Sequence, residues 1–528
     1  MAPRVLVADD LSADGVAILR RGGLEVDVQV GLKPEALEAI IGSYDALAVR
    51  SATKVTATLL ARATRLRVVG RAGVGVDNVD LEAATRRGVV VMNTPGGSSV
   101  TVAELTLAHM LALARHVAQA TASVKAGKWE KKRFQGHELS GKTLGVVGIG
   151  NIGSVVVQRC QALGMKVLAY DPFIGAEAAA KLGVTLVSLE ELWPRADVIS
   201  LHVPLTEQTR NLVNAATLAK MKKGALLVNC ARGGVIDELA LAEALARGHL
   251  GGAALDVFEK EPVAADHPLL ALDGFICTPH LGASTEEAQA AVAIAIAEQL
   301  VAFLTQGVAQ NALNLPSLPR EVLERVAPYL ALAEKLGSLA GQLVPGGAEE
   351  VRIEVAGDLS GVPARPITSA VLKGLLRHVA ESPVNEVSAA AVARERGLQI
   401  REERLTAPVD YVSLLTVALR GRGGEAVVAG TVYGKQEARI VRVNQYRMEA
   451  VPEGDLILCE NDDAPGVVGN LGQALGQAGV NIANIFLSRD ETRKSAVSLI
   501  NVDSPPGEEL LEKLRNLQHV RRVAYLRL

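Results

Sequence analysis

The stretch from residue 146 to residue 171 decides the fold of this chain, and it begins Val146-Val147-Gly148-Ile149-Gly150-Asn151-Ile152-Gly153. A helical run follows it, and then comes Lys166-Val167-Leu168-Ala169-Tyr170-Asp171. This order predicts a strand, a glycine turn, a helix and a second strand. The first glycine permits the tight turn, the second lets a pyrophosphate approach the backbone, and the third lets helix and strand pack closely. The helix N-terminus favours negative phosphates.

Asp171 ends the second strand, about twenty residues beyond the glycines, which is the spacing of a ribose-binding acid. A carboxylate at this place accepts hydrogen bonds from the ribose of NAD and repels the extra phosphate of NADP. NAD is therefore the expected cofactor. A glycine pattern of this kind also occurs in ordinary turns. The continuous apolar strand before it and the spaced acid after it favour the dinucleotide site.

The length and composition indicate a globular protein of several domains. With 528 residues, 49% of them hydrophobic and 21% charged, the chain should divide into about three or four domains. A formal net charge of -3 argues against a broad basic face for nucleic acid. The cysteines are far apart and form no CxxC pair, so no disulfide framework and no metal site are expected.

The chain offers no clear targeting or membrane signal. Its N-terminus reaches acidic residues after a short apolar run, which predicts a first strand and not a signal peptide. The alanine-rich run from Ala288 to Leu304 contains Glu298, which favours a buried or amphipathic helix over a membrane span. We expect a cytoplasmic protein.

Residues 1 to 97 alternate short apolar strands with helices, which predicts a small parallel α/β domain. The predicted strands are Arg4 to Ala8, Glu25 to Val30, Ala46 to Arg50, Val68 to Arg71 and Val89 to Asn93. Polar runs follow two of them, from Arg50 to Lys54 and from Arg71 to Asn78. Open α/β sheets bind ligands at such strand ends. The arginines can pair with a carboxylate or phosphate, although ordinary turn chemistry is the alternative.

Two features connect this region to the next. Ser99 to Arg115 has a helical pattern, with Thr101 and Glu104 at capping-box spacing. A cationic run from Lys125 to Arg133 surrounds Trp129. That run is either a solvated face or a subunit contact whose cations reach a neighbour's anionic site.

The α/β rhythm continues after Asp171. The predicted strands are Val198 to Val203, Ala225 to Cys230, Gly252 to Val257 and Gly274 to Thr278. Arg232, Glu261 and His280 follow three of them, so we expect all three on the carboxyl edge of one sheet. Histidine is the residue type that titrates near neutral pH, so His280 can accept a hydroxyl proton. Glu261 can fix its tautomer, and Arg232 can bind a substrate carboxylate.

These motifs resemble the D-isomer-specific 2-hydroxyacid dehydrogenase family in its long form, over the whole chain. The resemblance implies a doubly wound parallel NAD domain (98–285) inserted in a smaller α/β substrate domain (1–97 and 286–316). An α+β intervening domain (317–452) and a ferredoxin-like ACT domain (453–528) are expected to follow. The implied reaction is NAD-dependent oxidation of 3-phospho-D-glycerate, the first step of phosphorylated L-serine biosynthesis. A glyoxylate or hydroxypyruvate reductase and a non-enzymatic NAD-sensing corepressor are the alternatives.

The resemblance also implies binding residues. For the cofactor they are Gly148, Gly150, Asn151, Ile152, Gly153, Asp171, His202, Pro204, Thr206, Cys230, Ala231, Arg232, Asp256, His280 and Gly282, with Asp256 orienting the nicotinamide amide. For the small anionic substrate they are Arg50, Ser51, Arg71, Gly73, Gly75, Asn93 and Lys131, the last from a second subunit. For an L-serine effector they are Asn461, Asp463 and Asn481. A homodimer or homotetramer is expected, and the ACT module can alternatively serve only for pairing through an edge strand.

Overall fold

The computed structural model describes residues 2–315, 320–377, 384–405, 410–434, 436–490, 492 and 494–528. The predicted boundary between residues 316 and 317 lies outside these residues. Four sheets organise the described chain, and the mixed α/β fold class predicted from the sequence is confirmed.

The first sheet is parallel and has the strand order β2-β1-β3-β4-β5. Its elements are β1 (Arg4–Val7), α1 (Ala13–Arg21), β2 (Glu25–Val28), α2 (Pro34–Ile40), β3 (Ala46–Val49), α3 (Ala57–Arg62), β4 (Val68–Arg71), α4 (Leu81–Arg86) and β5 (Val90–Met92), with a 3-10 turn at Ile41–Ser43. The predicted strands are confirmed, and each ends at its predicted last residue or one or two residues before it. The polar runs therefore begin where the strands end.

The second sheet is also parallel and has the order β12-β11-β10-β9-β6-β7-β8. Its strands are β6 (Thr143–Val147), β7 (Lys166–Tyr170), β8 (Thr185–Leu186), β9 (Val198–Leu201), β10 (Leu226–Asn229), β11 (Gly252–Leu255) and β12 (Phe275–Cys277). Its helices are α5 (Ser99–Ala114), α6 (Val117–Lys125), α7 (Asn151–Ala162), α8 (Ala176–Lys181), α9 (Leu189–Leu192), α10 (Ala215–Lys220) and α11 (Glu238–Ala246), with a 3-10 turn at Pro268–Ala271. The strand order reverses between β6 and β9. Such a switch point opens the crevice in which doubly wound folds bind ligands.

Helix α5 connects the two sheets, and its start differs from the prediction. The helix begins after Ser98, whose side chain makes no capping bond, so Thr101 already lies in the first turn. The capping-box prediction is wrong, because the turn at Pro95-Gly96-Gly97 lets the helix begin at Ser99 and leaves Thr101 inside its first turn. The buried face of α5 packs against the second sheet through Val102, Met110 and Leu113.

Helix α12 (Glu286–Gln306) returns the chain to the first sheet. Val292, Ile296 and Leu300 of this helix lie in one core with β1, β3 and β4. By length and composition alone α12 could cross a membrane, but here one face of it is buried against the first sheet. The prediction of a buried or amphipathic helix is confirmed.

The remaining described chain forms two more sheets. The third has the order β14-β13-β15-β16-β17-β18 and comprises α13 (Arg320–Leu343), β13 (Ala348–Gly357), α14 (Ala364–Leu376), α15 (Ala389–Glu395), β14 (Gln399–Leu405), β15 (Ser413–Gly421), β16 (Gly424–Tyr433), β17 (Glu437–Val443) and β18 (Tyr446–Ala450), with a 3-10 turn at Asp358–Gly361. The fourth is antiparallel with the order β20-β21-β19-β22 and comprises β19 (Asp455–Asp462), α16 (Val467–Gln477), β20 (Ile482–Asp490), β21 (Ser495–Val502), α17 (Glu508–Arg515) and β22 (Val520–Arg527). Its chain order of strand, helix, two strands, helix and strand is the ferredoxin-like order expected for residues 453–528.

The third and fourth sheets share one hydrophobic core. Leu456, Leu499 and Leu526 of the fourth sheet are buried with Leu336 and Leu339 of α13. Arg522 also donates to the Leu343 carbonyl at 3.0 Å. The C-terminal module is therefore packed against its neighbour through its sheet face, and its removal would expose apolar surface.

Candidate active site

The glycine turn after β6 is closely packed on one side and open on the other. Gly148 has φ +90, and a Cβ there would lie 2.5 Å from the His202 carbonyl oxygen. A Cβ on Gly153 would lie 2.0 Å from the Gly148 carbonyl oxygen, so only glycine lets α7 pack this closely. The space beside Gly150 is open, and no side chain caps the N-terminus of α7. The amides around Asn151 and Ile152 are thus available to a pyrophosphate.

Asp171 faces this turn. Its Oδ2 accepts from the Ile149 amide at 2.9 Å, and its Oδ1 accepts from the Phe173 amide at 2.9 Å. The carboxylate therefore braces the turn as well as closing the βαβ unit. Each oxygen keeps a lone pair for a ribose hydroxyl.

His202 directly follows β9 on the same edge. Its Nε2 lies 2.7 Å from Ser200 Oγ, while its buried Nδ1 has no partner among the described residues. Burial lowers the pKa of His202 to about 4, so the ring is neutral. An unpaired buried nitrogen beside an open glycine loop fits a dinucleotide that supplies its missing partner. Pro204 and Thr206 follow in the exposed loop after this strand.

The loop after β10 directs Arg232 out of the second sheet. Asn229 shapes the loop, because its side chain donates to the Arg232 carbonyl at 2.9 Å and accepts from the Ala231 amide at 3.0 Å. Cys230 is buried, and burial raises its thiol pKa to about 12, so it remains a neutral packing group. The two parallel sheets, each with its helices, form two lobes. Arg232 Nε of the second lobe lies 2.9 Å from Asp77 Oδ2 of the first.

His280 and Glu261 form a pair at the carboxyl edge. His280 Nδ1 lies 2.8 Å from Glu261 Oε2, and the Glu261 Oε1 accepts from the Phe258 amide at 3.1 Å. Because the carboxylate accepts, Nδ1 carries a proton, and in the neutral form of the ring Nε2 has a free lone pair. His280 also has φ +55, an uncommon conformation outside glycine that often marks functional positions.

Asp256 holds the loop that carries His280. Only 1% of Asp256 is exposed, and its carboxylate accepts from Thr278 Oγ1 at 2.5 Å, the Leu281 amide at 2.7 Å and the Gly282 amide at 2.8 Å. The His280 amide donates to the Asp256 carbonyl at 2.9 Å. In this structure Asp256 positions the loop from beneath. Its contact with a nicotinamide amide stays a prediction.

Three arginines converge between the two lobes. Burial lowers the pKa of Arg71 to about 10, and the neighbouring charges of Arg232 and Arg50 contribute to this lowering while Asp77 opposes it. Arg71 remains a cation at neutral pH, and its buried Nε has no partner among the described residues. A bound anion would relieve both the mutual repulsion and the unpaired donor. Arg50 is anchored by its own backbone amide, which donates to Asp9 at 2.6 Å.

The glycines of this region make room for the arginines. A Cβ on Gly73 would lie 1.6 Å from Arg71 Nη1, and a Cβ on Gly75 would lie 1.8 Å from Arg232 Nη2. Asn93 is buried and donates to the Val74 carbonyl at 2.6 Å, which fixes the segment between these glycines. The resemblance implies that the two glycines contact the substrate, and the structure adds this steric role.

Two other predicted substrate residues are exposed, and one of them, Ser51, directly follows Arg50. Ser51 is exposed in the loop after β3. Lys131 is exposed after α6, and no hydrogen bond or ion pair joins it to the arginines in the described part of one chain.

The predicted effector residues have separate partners. Asp463 is ion-paired with Arg489 at 2.7 Å, and Asn481 donates to Asp503 at 2.7 Å. Asn461 is buried with its Oδ1 unpaired in the described chain. The structure does not join these three side chains by hydrogen bonds. An ammonium group at Asp463 would have to compete with Arg489.

Sequence reasoning missed three site residues. Asp77 lies in the polar run from Arg71 to Asn78, where no role was predicted for it, although it contacts Arg232. Asp9 is buried and holds the loop of Arg50 and Thr53. His109 contacts Thr278 from α5 at 3.1 Å. For Asp9 the signal was its place at the end of β1, whereas the sequence gives no local sign of the other two contacts.

Comparison with known proteins agrees with this geometry. Residues 107–282 match the model of the D-isomer specific 2-hydroxyacid dehydrogenase NAD binding domain, 325–444 match the D-3-phosphoglycerate dehydrogenase intervening domain, and 456–519 match the ACT domain. The D-3-phosphoglycerate dehydrogenase of Archaeoglobus fulgidus is 43% identical over 99% of this chain and 100% of its own length. The protein of the same name from Methanocaldococcus jannaschii is 44% identical over 99% of this chain and 100% of its length.

A crystal structure of a protein from Thermus thermophilus superposes with a TM-score of 0.55 at 41% identity, covering 59% of this chain and 99% of its own. The fold and the site define an NAD-dependent oxidoreductase of the D-2-hydroxyacid dehydrogenase class. The chain belongs to the D-3-phosphoglycerate dehydrogenase family.

Proposed function

We propose that this protein oxidises 3-phospho-D-glycerate to 3-phosphohydroxypyruvate with NAD, as the first step of phosphorylated L-serine biosynthesis. The observations that carry the proposal are the arginine cluster of Arg50, Arg71 and Arg232 and the His280–Glu261 pair. Arg232 and His280 follow β10 and β12 at the same edge of the second sheet. A substrate with a carboxylate at one end and a phosphate at the other needs several cations close to the base. Family membership supports the same reaction.

In the proposed mechanism, Arg232 binds the substrate carboxylate and polarises the C2 oxygen. His280 Nε2 accepts the C2 hydroxyl proton, while Glu261 holds Nδ1–H and stabilises the imidazolium that forms. Bound NAD supplies the hydride acceptor for C2. Arg71 and Arg50 bind the substrate phosphate in this proposal, and Lys131 of a second subunit completes the phosphate site.

The test is a panel of 2-hydroxy and 2-keto acids, with and without phosphate, assayed with NAD and NADP by NADH absorbance. We expect the highest catalytic efficiency with the phosphorylated hydroxy acid 3-phosphoglycerate and NAD. Preference for an unphosphorylated acid would indicate a glyoxylate or hydroxypyruvate reductase instead. NADH binding without turnover of any acid would indicate the NAD-sensing alternative.

We also propose that the ACT module binds L-serine near Asn461, Asp463 and Asn481. The support is the unpaired buried Asn461 Oδ1 beside the turn that leads into α16, together with the ACT match. The test is an L-serine titration of the wild type and Asp463→Ala. Inhibition that is weaker in the variant is expected, and equal inhibition of both would remove Asp463 from the site.

We propose that the protein forms a homodimer or homotetramer, because α6 and the residues after it expose apolar side chains. No residue of this helix is buried in one chain, and Val117, Val124 and Trp129 nearby are 52%, 53% and 84% exposed. Apolar groups of this kind commonly mark subunit contacts. The mass in solution tests the proposal, with Trp129→Ser as the variant expected to weaken assembly.

The domain limits of 1–97 with 286–316, 98–285, 317–452 and 453–528, and a cytoplasmic location, remain part of the proposal.

A further inference from the structure

A buried polar chain runs beneath the loop of His280, and it starts on the helix that joins the two lobes. His109 lies on the buried face of α5 and is 4% exposed. Its Nε2 lies 3.1 Å from Thr278 Oγ1. A histidine among apolar helix residues must satisfy its ring by a hydrogen bond, and here the partner belongs to the catalytic loop.

The direction of the hydrogen bonds follows from the number of protons. Thr278 has one hydroxyl proton, and the Asp256 carboxylate accepts it at 2.5 Å. The Thr278 oxygen can therefore only accept from His109, so the proton of the ring stands on Nε2. Burial lowers the pKa of His109, with Asp256 opposing the shift, which keeps the ring a neutral donor. The hydrogen bonds therefore run from His109 through Thr278 to Asp256.

Asp256 in turn holds the backbone next to His280. Its second oxygen accepts from the Gly282 amide at 2.8 Å, and its first oxygen accepts from the Leu281 amide at 2.7 Å as well as from Thr278. The residues on both sides of His280 are thus tied to one buried carboxylate. His280 itself has φ +55, a conformation that surrounding contacts must maintain.

We propose that His109 is a positioning residue for the reaction, fixing the Thr278 hydroxyl and through Asp256 the loop that aims His280 at the substrate. The inference rests on the proposed role of His280 as the base. Because α5 starts at the junction of the two lobes, His109 also ties the base to the connecting helix. His109 itself touches neither the substrate nor the reacting atoms.

The test compares His109→Leu, which removes the donor, with His109→Gln, whose amide nitrogen can replace Nε2–H. Met110→Leu is the matched control, since Met110 is fully buried on the same helix and contacts Cys160 instead. We expect His109→Leu to lower kcat about ten- to a hundred-fold, the effect of a small misplacement of a catalytic group. The substrate KM and the NADH Kd should stay within about two-fold of wild type. His109→Gln should recover most of the loss.

Thr278→Val supplies the second arm. Adding His109→Leu to it should lower kcat no further, because both changes cut the same chain. A His109→Leu enzyme with unchanged kcat overturns the proposal, as does a His109→Gln enzyme that is equally impaired, or additive losses in the double variant. All variants are assayed with the 2-hydroxy acid that the wild type oxidises best. A different preferred acid would revise the proposed function and leave this test intact.

Discussion

Arg232 of the second sheet and Asp77 of the first lobe form an ion pair across the cleft, with Nε 2.9 Å from Oδ2. The arginine is 26% exposed and the aspartate 68%. Arg232 is the proposed carboxylate anchor, so Asp77 pairs with the guanidinium that a substrate carboxylate would need. The pair also offsets the repulsion between Arg232 and Arg71.

Asp77→Asn should therefore strengthen substrate binding. Removing the competing carboxylate frees the guanidinium, and an exposed pair of this kind is worth roughly 0.2 to 1 kcal/mol. We expect the substrate KM, measured with phosphoglycerate, to fall by up to about five-fold with NAD affinity unchanged. Initial rates over a range of substrate concentrations check this. A higher KM would mean that Asp77 orients Arg232 for binding.

His280→Asn should abolish most turnover and leave NADH binding intact. Asparagine tolerates the positive φ of this position better than alanine, so the loop is kept while the base is lost. Loss of a general base lowers kcat by roughly a hundred- to ten-thousand-fold. Steady-state rates and a fluorescence titration of NADH measure both quantities. Activity near that of the wild type would remove His280 from the mechanism.

Asp171→Ala should relax the preference for NAD over NADP, because the ribose loses an acceptor and the 2'-phosphate loses a repelling charge. Asp171 also braces the Ile149 amide, so the matched control is Asp171→Asn, which keeps an acceptor oxygen without the charge. The ratio of kcat/KM for the two cofactors is the measurement. If neither variant changes this ratio, Asp171 serves only to brace the turn.

Gly75→Ala should impair catalysis with little loss of stability. The new Cβ would lie 1.8 Å from Arg232 Nη2, the mobile end of a side chain that can move away. A displaced Arg232 should raise the substrate KM and lower kcat, together by about ten-fold or more in kcat/KM. Gly361→Ala is the control, since nothing lies within 4 Å of its added Cβ. Equal kcat/KM in both variants would show that Arg232 tolerates the shift.

Removal of residues 453–528 alone should destabilise the neighbouring module. The truncation would uncover α13 residues such as Leu336 and Leu339, which share a core with the fourth sheet. We expect lower solubility and a lower first melting transition than in the full chain. Residues 1–315 should retain dehydrogenase activity, since they include all the cofactor, substrate and catalytic residues named above. A well-folded, soluble 1–452 protein would contradict the shared core.

The sequence by itself determined the succession of strand, glycine turn, helix and strand in the dinucleotide unit, because glycine spacing and apolar runs are local properties that backbone geometry translates directly. The same holds for Arg232, Glu261 and His280 at the carboxyl edge, since parallel strands all end on one side of a sheet. Only the tertiary structure decided which partners these side chains meet. Asp77 reaches Arg232, and His109 reaches Thr278, from segments far away in the chain. Neither contact has a spacing rule, because each arises where a lobe or a helix docks against a sheet through apolar surface that does not specify individual polar pairs.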